Sequence, residues 1–208
     1  MTRGSGEHEA VADRAEVRII YAADGADRSG AVNLLSERVA DVESLLRQEP
    51  IASAIEVRER SMHVGDRWDH HSGQRVGVTA HLGLGLRTTE LGMLDDLLAG
   101  LLSAEPRHFD GPYWSLADES APMREAQRRA VADARARAET YADAAGQRLG
   151  PLLRLSDEGT ERPYPMMDHG HFASRPAGGG PEAVRQLSLS PIPITVRTTC
   201  VVSWALLD

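Results

Sequence analysis

Residues 118–155 read DESAPMREAQRRAVADARARAETYADAAGQRLGPLLRL, and this stretch predicts one long helix, a glycine stop and a strand. Asp118 or Ser120 can accept the unpaired first-turn amides, and Pro122 lies where a helix loses nothing by lacking an N–H. Apolar residues recur three or four apart at Met123, Ala126, Ala130, Ala134, Ala138, Tyr141 and Ala145, a single stripe made mostly of alanine. So little side-chain volume calls for a partner lying close against the helix. Gly146 supplies a left-handed stop. Glu125 and Asp133 each precede an arginine by four residues, and such pairs contribute only ~0.2–0.5 kcal/mol apiece. The stretch is therefore read as a scaffold.

On the N-terminal side, residues 1–14 are small, polar and charged, and are expected to be a disordered tail. Residues 15–208 are expected to form a single domain. Val17, Ile19 and Tyr21 begin a strand, and Val32, Leu35, Val39, Val42 and Leu46 mark the inner face of a helix that Pro50 ends. A second strand opens at Ile55. Val76, Val78, Ala80, Leu82, Leu84 and Leu86 then alternate with a face carrying Gly77, Gly83 and Gly85, a bare surface on which the alanine stripe could lie. A short leucine-rich helix around Leu94 and Leu98 and a strand from Phe109 to Leu116, broken at Gly111-Pro112, lead to the long helix.

Downstream, Leu152, Leu153 and Leu155 read as a short strand, and Ile192 to Leu206 as a long one. Between them a Pro- and Gly-rich segment at about 157–186 is expected to be a mobile loop. Hairpins mixed with helices give an α+β fold, a mainly antiparallel sheet with a long alanine-rich helix and two shorter helices packed on it.

Composition narrows the function. Every one of the 23 basic residues is arginine, and 31 acids leave a net charge of -8. That balance argues against nucleic acid as partner. The lone Cys200 allows no internal disulfide, and its alternation with Val196 and Val202 makes it a buried thiol. No run of about 18 apolar residues occurs, so direct membrane insertion is not expected, and the N-terminus has no apolar core of signal-peptide length. The chain as written is expected to be cytoplasmic.

The helix and its exit resemble the SIMPL-domain family, whose pattern A-x-x-x-G-x-x-L-G is matched by Ala142, Gly146, Leu149 and Gly150. The resemblance extends over about residues 16–207, through the early strand-helix-strand, a V-T-A-x-L strand at Val78 to Leu82, a phenylalanine near Phe109, and a closing strand of β-branched residues. It implies an α+β subunit without established enzyme activity that forms homo-oligomers, in bacterial members often exported to the periplasm or envelope, with stress-related roles suggested. The chain departs from relatives in lacking their signal peptide and in entering the last strand through Ser190-Pro191-Ile192-Pro193.

Searches for chemistry return little. Asp69-His70-His71 and Asp168-His169-Gly170-His171 carry nitrogen and oxygen donors, but both fall in predicted loops, so His70, His71, His169 and His171 are expected to hold no metal. No G-x-S-x-G elbow or phosphate loop is present, and no cofactor is expected. Tyr164, Met166, Met167 and Phe172 place apolar groups in the 157–186 loop, the composition of a segment that orders on contact with a protein partner. The expectation is a non-enzymatic protein acting through self-association or partner binding. A metal-dependent or small-molecule enzyme with a pocket between sheet and loop is the alternative.

Overall fold

The computed structural model describes residues 1–69, 71–157 and 189–208. Their elements run β1 (Thr2–Val11), β2 (Arg14–Gly25), α1 (Arg28–Leu45), α2 (Ile51–Ala54), β3 (Ile55–Trp68), β4 (Arg75–Thr88), α3 (Leu94–Ser103), β5 (His108–Ser115), α4 (Ser120–Ala144), β6 (Arg148–Asp157) and β7 (Pro193–Leu207). The strands form two antiparallel sheets, ordered β1-β7-β6 and β3-β4-β2-β5, as an α+β fold requires.

The described chain divides into two compact units, the first built from residues 1–12, 116–157 and 192–208 and the second from 13–115 with 189–191. One expectation needs correction: the tail expected over residues 1–14 is not a tail, because Thr2–Val11 is a strand paired residue for residue with Val202–Pro193 of β7. Pairing between the first strand and β7 gives these segments a sheet of their own.

In the first unit α4 lies chiefly over β1 and β7. Ala126, Ala130, Ala134, Ala138 and Ala142 are buried, whereas Tyr141, assigned to the stripe from its spacing, is 70% exposed. The buried set steps by four residues and drifts round the helix, which carries the contact to Ala142. At the helix start Asp118 Oδ1 accepts the Ser120 N–H at 2.8 Å, and Gly146 closes the other end at a φ of 71°.

The close partner of the alanines is the glycine pair of β1. A Cβ placed on Gly4 would lie 2.6 Å from Ala134 N and would overlap the Ala130 carbonyl, and one on Gly6 would overlap the Ala126 carbonyl. Gly83 and Gly85, expected to take this role, instead face Ser61 and Glu59 of the neighbouring β3. Polar ties add to the contact: the Ser5 N–H donates to Asp133 Oδ2 at 2.9 Å, Arg129 to the Glu7 carbonyl at 2.9 Å, and the Thr2 hydroxyl to the Ala134 carbonyl at 2.9 Å. Cys200 and Val202 complete this small core.

The second unit runs β2-α1-β3-β4-α3-β5, with β4 between the parallel pair β2 and β3. This is the split βαβ arrangement. Val17, Ile19 and Tyr21 of β2 and Val78, Leu84 and Leu86 of β4 meet Leu35, Val39 and Val42 of α1 and Leu94, Leu98 and Leu101 of α3 in one core. Tyr21 is wholly buried and its hydroxyl donates to the Leu101 carbonyl at 2.7 Å, one of the α3 carbonyls that have no partner within the helix. Burial pushes its pKa far up, so it remains a phenol at any ordinary pH. Asp27 caps α1 by accepting the Gly30 N–H at 2.8 Å.

Gly6→Ala and Ala134→Leu should each lower stability by about 1–3 kcal/mol through overpacking, whereas Gly92→Ala, with nothing within 4 Å of the added carbon, should stay within ~0.5 kcal/mol. Urea denaturation followed by circular dichroism measures all three.

The Asp133 carboxyl is held below the usual range first by the Ser5 N–H and then by Arg137. A folded pKa below the unfolded value of about 3.9 stabilises fully above that value and is lost as pH falls toward the folded pKa. Asp133→Asn should therefore be less stable than the parent at neutral pH and converge with it in acid, as an acid titration of the unfolding midpoint would record.

Candidate functional site

Asp69 of the first histidine cluster is consumed by its own turn. Its Oδ1 accepts the Ser72 N–H at 2.7 Å, the Ser72 hydroxyl at 2.8 Å and the His71 N–H at 3.1 Å, and these bonds, the Ser72 N–H foremost, lower its pKa. His71 is exposed beside it. His70, His169, His171, Tyr164, Met166, Met167 and Phe172 lie outside the described residues. Among the described residues no group of three or more His, Cys, Asp or Glu side chains could hold a metal ion. Cys200 is a buried thiol in no disulfide, packed with Ala130, Ala134 and Val202.

Sequence reasoning missed a histidine pair in the second unit. His63 and His81 oppose each other across β3 and β4, their ring centroids 6.3 Å apart. Burial, then the charges of Arg107 and His63, lower the pKa of His81. Two nitrogens fall short of the three or four ligands of a stable metal site.

Among the described residues, β6 carries a group of exposed leucines. This strand is an edge of the three-stranded sheet, and α4 covers it far less than it covers β1 and β7. Leu152, Leu153 and Leu155 are 45%, 66% and 51% exposed, and Leu206 and Leu207 of the adjoining β7 end are about half exposed. Register shifts on either side of Leu152 each insert an extra residue into β6, so Leu152 sits opposite Trp204 and Leu155 opposite Val202 while Leu153 falls between them. The leucines thus reach both faces of the strand. Beside Leu152, the Trp204 indole Nε1 is buried without a hydrogen-bond partner. Pro151 removes one backbone donor and restricts which part of the edge can pair. Arg148 begins the strand and Asp157 ends it.

The signal for this surface was present in the order Leu152-Leu153-Arg154-Leu155. Leucines at both parities of a strand cannot all face one core. What the order omits is that β6 is an edge, which depends on β1 taking the other flank of β7.

No helix among the described residues is long and apolar enough to cross a membrane. No curated protein matches the chain. A family model described as SIMPL, protein of unknown function (DUF541), matches residues 1–204, which includes the β1 segment that the motif-based resemblance did not reach. With that match over nearly its whole length, the chain belongs to the SIMPL family.

Proposed function

We propose that this SIMPL protein is a non-enzymatic subunit that works by self-association, and that the β6 edge is the contact between copies. The observation that carries the reading is the exposure of Leu152, Leu153 and Leu155 on a strand that is the edge of its sheet among the described residues. Natural edges are usually blunted by charge, and an apolar one left open is a template for another strand. A second copy fits the edge by charge. Two β6 strands set antiparallel bring the Arg148 end of each against the Asp157 end of the other, so unlike charges meet at both ends and leucines meet in the middle.

An isologous contact of this kind closes as a two-fold dimer, and a further interface would be needed for a larger ring.

Light scattering on the purified chain should give a discrete particle of at least two subunits. Leu153→Glu with Leu155→Glu, at positions already exposed, should halve that mass or reduce it to one subunit while leaving the circular dichroism spectrum intact. A single-subunit mass for the parent at high concentration, or an unchanged mass for the double variant, would remove β6 from the role.

A further inference from the structure

At one end of the second unit's sheet, where β2 and β3 begin and β4 ends, lies a hollow of about 270 Å³ lined by Arg14, Ser53, Ala54, Ile55, Glu56, Arg87, Thr88 and Thr89. Register builds it. Arg87 on the central β4 stands opposite Glu16 of β2 on one side and Glu56 of β3 on the other, and Thr88 stands between Ala15 and Ile55 in the next row. The Arg87 guanidinium lies 3.2 Å from Glu16 through one terminal nitrogen and 3.8 Å from Glu56 through the other.

Both acids are shared with further arginines. Glu16 also lies 3.6 Å from Arg18, and Glu56 lies 2.7 Å from Arg58. The Glu56 carboxyl is held low first by the hydrogen bond from Arg58, with the charges of Arg58, Arg87 and Arg14 adding to it. Arg14, Arg18, Arg58 and Arg87 therefore lie around Glu16 and Glu56, with Asp110 opposite Arg18 in register.

The third donor of Arg87 is the informative one. Its Nε is buried and makes no hydrogen bond. A buried donor on a charged group is costly to leave unsatisfied, and such an atom in a native protein marks the place of a water or an ion. The hydroxyl of Thr88 is already committed, donating to the Ala54 carbonyl at 2.8 Å and accepting the Glu90 N–H at 3.0 Å. Thr89 lines the mouth and is exposed. The hollow thus offers guanidinium and hydroxyl donors to a ligand rich in acceptors, and planar guanidinium groups suit oxyanions above all.

We infer that this hollow binds a phosphate group, as the free ion or as the monoester of a small molecule, with Arg87 and Arg14 holding the oxygens and Thr89 at the entrance. Glu56, the one carboxylate on the wall, is tied to Arg58 and Arg87 and stands as the selective element against larger polyanions.

The test is isothermal titration calorimetry of the full chain at low ionic strength, once with inorganic phosphate and once with glycerol phosphate, alongside Arg14→Gln and Arg87→Gln chains whose circular dichroism matches the parent. One saturable site per chain is expected with a Kd below ~10 mM, weakened about tenfold or more in each variant. Tighter binding of glycerol phosphate would identify the ligand as a monoester, and equal binding would identify the free ion. Absence of saturable heat with both probes, a response matched by chloride at equal ionic strength, or undiminished binding in a well-folded Arg14→Gln chain would overturn the inference.

Discussion

The first unit depends on a backbone meeting a backbone. Gly4 and Gly6 lie so near the carbonyls of Ala126 and Ala130 that no side-chain carbon fits between, and the hydroxyl of Thr2 and the amide of Ser5 bond to groups on the same helix. The three-stranded sheet follows from this contact. With α4 seated on β1 and β7, Cys200 and Val202 are covered, β6 is left at the margin, and its leucines face outward. A bulkier residue on either glycine would move the helix and with it the roof over β7.

How much of this was legible depended on how each residue is buried. β2, β4, α1, α3 and β7 bury large aliphatic groups, and their two- or three-to-four-residue periods placed them correctly. The alanine stripe of α4 likewise announced a close neighbour. β1 was unreadable for the opposite reason: its inward positions, Thr2, Gly4 and Gly6, are buried because they are small, so the segment carries no hydrophobic alternation and resembles a solvated tail. The same omission misdirected the stripe toward Gly83 and Gly85. A sequence rich in glycine specifies close approach without naming the element that approaches.

The candidate surfaces were hidden by topology rather than by residue type. The leucines of β6 can be seen in the sequence, yet only strand order tells that they border solvent. Arg14, Glu56 and Arg87 are far apart in the chain and become neighbours through the registers of β2, β3 and β4. An exclusively arginine repertoire matters here, since every cation in the row Glu16–Arg87–Glu56 and around it is a planar donor able to serve two acids at once.

The pairing of β1 with β7 also sets an order of events during synthesis. Residues 13–115 are contiguous and include all four strands of the second sheet, so they can collapse while the ribosome is still working. Gly4 and Gly6 must wait for α4, and the ladder from Thr2 to Val11 must wait for the last segment, Pro193–Leu207, to emerge. That closure spans nearly the whole chain and belongs to the slow, non-local class of contacts. The residues of β1 are thus made before every other described strand and are among the last of them to be paired.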